Sequence, residues 1–91
     1  MKPRLSLGQV VATPGALSAL RKSGENPMTF LRRHVAGDWG IVTLFDQKQN
    51  DLALKEGSRI LSAYRTSLGE VLWIITEPDR SSTCLLLPQE Y

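Results

Sequence analysis

The 91-residue sequence predicts an α+β fold, with two or three short helices packed on one face of a three- to four-stranded antiparallel sheet. Three observations carry the prediction. Helix start and stop residues recur in order, Thr13-Pro14 to Gly24 and then Asn26-Pro27 to Gly37. From Ser58 onward the pattern changes to β-rich apolar runs separated by turn residues. The composition, 42% hydrophobic and 22% charged, suits a chain that buries a real but thin core as one domain over residues 1–91.

Taken in order, "LSLGQVVAT" (5–13) reads as a first strand, because Val10 and Val11 are β-formers; it is expected to join the sheet at an edge. In "TPGALSALRKSG" Thr13 caps, Pro14 takes the first helical position, and Leu17 and Leu20 share a face. Arg21 and Lys22 suit the negative helix end, and Gly24 supplies the left-handed stop. "NPMTFLRRHVAG" repeats the grammar, with Phe30, Leu31, His34 and Val35 at helical spacing, so the two segments form a helical hairpin. A third helix is expected from about Leu44 to Glu56, capped by Thr43 and stopped by Gly57, with Phe45, Leu52 and Leu44 as its buried contacts. "SRILSAYRT", "EVLWIIT" and "STCLLLP" then make a C-terminal β-meander whose middle run is apolar on both faces, as a central strand requires.

Charge is unevenly distributed. Residues 1–33 carry Lys2, Arg4, Arg21, Lys22, Arg32 and Arg33 against Glu25, a balance of +5, and residues 34–91 carry five basic and eight acidic side chains, a balance of −3. Such asymmetry marks either solvated faces or a surface for an anionic partner. The single Cys84 allows no internal disulfide and no Cys/His metal cluster, which fits a reducing, cytoplasmic setting. No metal or cofactor is expected. The runs "VLWII" and "CLLLP" are too short to span a bilayer, and the N-terminal segment does not read as a signal peptide, so no membrane association is expected.

No phosphate loop, dinucleotide fingerprint or nucleophile elbow occurs. One cysteine and one histidine could form a nucleophilic pair, but Cys84 sits among leucines and reads as a small buried hydrophobe. His34 has the ordinary pKa range of a general acid or base, and its place near a helix end favours its charged form. Its neighbours Leu31 and Val35 favour a structural role, with the ring donating to a backbone carbonyl or to Asp38. In "GDWG" (37–40), Gly37 ends the helix, Asp38 shapes a turn, and Trp39 either closes the edge of the core or stands exposed as a partner anchor. The turn "TEPDRSST" offers Glu77, Asp79 and Arg80, read either as a self-satisfied Asp79–Arg80 pair or as a carboxylate and guanidinium near Arg59, Tyr64 and Arg65.

Four segments, "GQVVATPGAL", "FLRRHVAGDWG", "NDLALKEGSRILSAY" and "WIITEPDRSSTCLLLPQEY", resemble a family of small bacterial proteins carried by plasmids and other mobile elements. Some members bear the label plasmid-related protein, others type I restriction endonuclease subunit M. The resemblance spans nearly the whole chain and implies a mobile-element origin without bringing an activity. Methyltransferase activity does not fit: the chain is too short for the doubly wound cofactor domain, and "NPMTF" lacks the second proline of the adenine-methylase signature. The C-terminal half also resembles the meander of barnase-like ribonucleases. That likeness would give His34, Glu77, Arg59 and Arg80 acid, base and phosphate-binding roles, although "DRSST" stands where those enzymes place a histidine.

Three functional expectations follow. The first is a non-enzymatic protein-interaction module, its partner another protein or a second copy, with Arg32, Arg33, Asp38, Trp39, Tyr64 and Asp79 as candidate contacts. The second is a toxin-like ribonuclease using the four residues above. The third is a nucleic-acid binder using Arg32 and Arg33 on the helical hairpin, for which a net charge of +2 gives little drive.

Overall fold

Three short polar side chains start the three helices. In the computed structural model, which describes residues 4–91, Thr13 Oγ1 accepts the amide of Ala16 and opens α1 (Pro14–Ser23). Asn26 Oδ1 accepts the amide of Met28 and opens α2 (Pro27–Val35), and Thr43 Oγ1 accepts the amide of Asp46 and opens α3 (Leu44–Glu56). Gly24 and Gly57 end α1 and α3 in the left-handed conformation, where glycine carries no Cβ penalty. Lys2, counted in the basic N-terminal third, lies outside the described residues.

Four strands, β1 (Gln9–Ala12), β2 (Ile60–Arg65), β3 (Val71–Thr76) and β4 (Ser82–Leu86), form one sheet in the order β1-β4-β3-β2. The meander β2-β3-β4 is antiparallel, with Ser62 opposite Ile74 and Ile74 opposite Leu85. β1 occupies an edge as expected but runs parallel to β4, Val11 opposite Cys84, so the sheet is mixed rather than antiparallel. An isolated strand sequence carries no orientation signal. Here the direction is fixed at the strand's two ends. Gly8 fits against the backbone of Arg80 and Ser81, and Thr13 donates its amide to Leu85 O.

One sheet face carries Ile60, Ser62, Tyr64, Leu72, Ile74, Thr76, Thr83 and Leu85, all buried. Ala16, Ala19 and Leu20 of α1 and Phe30 and Leu31 of α2 pack there against Tyr64, Leu72, Ile74 and Leu85. Burying each large apolar side chain contributes roughly 1.5–3 kcal/mol. Leu17, read as sharing a face with Leu20, is exposed while Leu20 is buried, because small Ala16 and Ala19 take the inward positions beside Leu20. A second cluster joins Leu5, Trp39, Ala53 and Ile60, with Val42 and Leu54 against it.

The third helix corrects an expectation. Phe45, Leu52 and Leu44 are 69%, 45% and 67% exposed, while Asn50 and Ala53 face inward. The cause is a polar anchor. Asn50 donates through Nδ2 to Leu61 O at 2.8 Å and accepts Leu61 N–H on Oδ1 at 3.3 Å, imitating a neighbouring strand at the edge of β2. The indole of Trp39 donates to Asp51 Oδ1 at 3.0 Å. These bonds fix the rotation of α3 and turn Leu44, Phe45 and Leu52 to solvent.

Candidate functional site

His34 lies between the two clusters and is fully buried. Its Nδ1 is 2.5 Å from Ser62 Oγ and its Nε2 is 2.9 Å from Thr76 Oγ1; Thr76 Oγ1 is 2.8 Å from Thr83 Oγ1, whose hydroxyl donates to Leu7 O. The last bond sets the direction of the others. Thr83 spends its proton on Leu7 O, so it accepts from Thr76. Thr76 in turn accepts from His34 Nε2–H, so the neutral ring carries its proton on Nε2 and its Nδ1 accepts from Ser62. Burial, and then the charge of Arg80, push its pKa down to about 4, so desolvation overrides the expected helix-end preference for the cation. The expected partner, Asp38 or a backbone carbonyl, is replaced by two hydroxyls of the sheet. Trp39 meets the ring edge-on at 5.8 Å, closing the chamber from the other side.

The "GDWG" corner is built around the edge of β2. Trp39 O accepts from Ala63 N, and Ile41 N donates to Ala63 O, making a one-residue parallel bridge at Gly40. Gly40 has φ +79°, and a Cβ there would lie 2.0 Å from Ala63 O. Trp39 is 4% exposed, so it closes the core edge and presents no anchor to a partner. Three of the candidate contact residues converge on this corner, but they satisfy one another. Arg33 Nε donates to Asp38 Oδ2 at 2.7 Å, its guanidinium stacks 4.5 Å above the Tyr64 ring, and the Tyr64 hydroxyl donates to Asp38 O at 2.7 Å. The Arg33 hydrogen bond holds the Asp38 carboxyl below its usual range, and burial pushes the Tyr64 phenol up to about 12. Arg32 is exposed and takes no part in this cluster.

The 77–80 turn is also turned to architecture. The Asp79–Arg80 pair read from the sequence does not form. Asp79 accepts the amide of Ser81, while Arg80, at φ +62°, donates to Ser58 O, Glu77 O and Ala53 O. Ala53 O lies in the last turn of α3, so Arg80 neutralises that helix end and ties it to the β3–β4 turn. Arg59 bonds the Tyr91 hydroxyl and lies over its ring, and the Glu77 side chain is exposed at the strand end. Cys84 is only half-buried, on the sheet face opposite the helices, and burial raises its thiol pKa. Among the described residues no group of His, Cys, Asp and Glu could hold a metal ion. Among the described residues no helix is long and apolar enough to cross a membrane.

What remains open is the outward face of α3. Spacings of 3, 4 and 3 put Phe45, Lys48, Leu52 and Lys55 in one stripe, with Leu44 beside them and Ile41, 52% exposed, just before the helix. Lys48, Asp51, Leu52 and Lys55 line a shallow groove of about 230 Å³ there. That volume is below the roughly 300–1,000 Å³ of small-molecule sites, so the surface suits a macromolecule better than a metabolite. The sequence reading assigns Phe45, Leu52 and Leu44 to the core. The one available signal is that apolar positions 44, 45, 52, 53 and 54 surround the helix and cannot all face inward.

No family model matches the chain, and neither curated proteins nor solved structures give a match to it.

Proposed function

We propose that this chain is a small non-enzymatic protein-interaction protein of a mobile element, acting in the host cytoplasm, and that it docks a protein partner on the outward face of α3. The observation that carries the reading is the reversed helix: Ile41, Leu44, Phe45 and Leu52 are exposed together while Asn50 and Ala53 take the buried positions. Contiguous exposed apolar side chains on a small domain mark interaction surfaces. The mobile-element origin rests on the family resemblance, and the cytoplasmic setting on the lone thiol of Cys84.

A ribonuclease reading draws less support from the same residues. Its general acid, His34, has both ring nitrogens occupied in the core, and its cation Arg80 is committed to three carbonyls. A nucleic-acid reading loses Arg33 to Asp38 and Tyr64, leaving Arg32 alone of the pair.

The test is affinity capture from host extract with the wild-type chain, Phe45→Ser, Leu52→Ser and Leu68→Ser. Leu68 is 64% exposed and lies outside the α3 face, so it serves as the apolar control. Capture of the same protein by wild type and Leu68→Ser, lost with the two α3 variants, is the expected result. Equal capture by all four chains would overturn the proposal.

A further inference from the structure

Resting on the reading of α3 as the docking face, we infer that its occupant is an acidic, amphipathic protein segment, with carboxylates that meet Lys48 and Lys55 on either side of an apolar residue seated on Leu52. The two lysines are seven residues apart on one stripe, roughly 10 Å along the helix axis, with Leu52 between them and Phe45 one turn below. Among the described residues the one ion pair is Arg33–Asp38, so neither lysine has a carboxylate within 4 Å. Asp51, the nearest acid in the groove, already accepts the Trp39 indole. The stripe thus presents two cations and an apolar floor, and the complementary surface is acidic and apolar at matching intervals.

A second copy of the chain does not fit. An antiparallel two-fold contact that seats Phe45 on the partner's Leu52 has its midpoint between positions 48 and 49, which brings Lys48 against Lys48. A parallel contact sets both lysines against themselves. A diffuse anionic surface such as a lipid headgroup layer fits poorly too. α3 as a whole carries Asp46, Asp51 and Glu56 against Lys48 and Lys55, so it is net acidic, and attraction depends on meeting the two lysines at discrete points.

The experiment titrates the isotope-labelled full chain with a synthetic helical peptide. The peptide carries leucines at i, i+4 and i+7, flanked by glutamates. Gln-for-Glu and Lys-for-Glu versions are run beside it, together with vesicles containing phosphatidylserine. The expected result is that the glutamate peptide shifts the amides of residues 44–56. The glutamine peptide binds about tenfold more weakly, and the lysine peptide binds the Lys48→Glu, Lys55→Glu double variant as well as the glutamate peptide binds wild type. Equal binding of the glutamate and glutamine peptides, with Phe45→Ser abolishing both, overturns the acidic partner and leaves the docking face standing. Binding unaffected by Phe45→Ser overturns the docking face itself. Vesicles shifting these amides where the glutamate peptide does not assigns the face to lipid and overturns the inference, and silence from every probe overturns it as well. Both lysines and Phe45 are exposed, so unchanged shifts elsewhere establish that the variants keep the fold.

Discussion

Acidification from pH 7.5 to 5 loads a proton onto the unfolded chain that the folded chain refuses. His34 titrates near 6.5 when unfolded and at about 4 when folded, because its ring is desolvated and the charge of Arg80 opposes a second cation. Above pH 6.5 neither state binds the proton, and the full contribution of the neutral ring is present. As the pH falls from 6.5 toward 4, the unfolded state gains a proton and the folded state does not, so stability drops. By pH 5 the loss is about 2 kcal/mol, and by pH 4 it approaches 3 kcal/mol. That is a large part of the stability of a domain this small. The carboxyls of Asp38, Asp79, Glu25 and Glu90 are held below their ordinary values and lose their contributions only at lower pH, which keeps the window from 6.5 to 5 for His34. Urea denaturation at pH 7.5, 6 and 5 measures the effect. His34→Gln, compared over the same range, removes the pH dependence whatever its own stability. A wild-type midpoint that is flat from pH 7.5 to 5, or a dependence that persists in His34→Gln, would refute the neutral, buried imidazole.

Gly40→Ala is expected to cost about 3 kcal/mol or more, since a Cβ would strike Ala63 O in a left-handed backbone. Gly57→Ala, also left-handed but with open space around it, costs about 1 kcal/mol. Thermal or urea denaturation of the pair separates collision from backbone preference. Asn50→Ala removes both bonds to the Leu61 backbone and is expected to lower stability by about 2 kcal/mol, with faster amide exchange at Leu61. Phe45→Ser is expected to leave stability within about 0.5 kcal/mol, whereas Phe30→Ala costs about 3–4 kcal/mol. A large loss for Phe45→Ser would place that ring in the core instead.

Local rules carried the parts of this fold that are decided locally. Thr13, Asn26 and Thr43 cap through a side chain bonding an amide two or three residues away, and Gly24 and Gly57 stop their helices through their own left-handed backbone, so both acts are local. The meander was legible for the same reason, since its three strands follow one another with short turns. What escaped depends on distant residues. The partners of His34 lie 28 and 42 residues along the chain, and the acceptors of Arg80 include Ala53, 27 residues back. The rotation of α3 is set by one amide reaching an edge strand that forms later in the sequence, so counting apolar residues on the helix puts Phe45 and Leu52 on the wrong side. Of the candidate contacts, Arg33, Asp38 and Tyr64 do meet, but they bond one another, and the exposed apolar face lies on a helix the sequence assigns to the core.

The docking face on α3 is tested most directly in living host cells by a photo-cross-linking amino acid placed at position 45, and separately at exposed position 68 as the control. A discrete adduct of one partner protein from position 45, with none from position 68, is the outcome expected of an interaction module that binds through α3. Adducts from neither position, or the same spread of adducts from both, would contradict it.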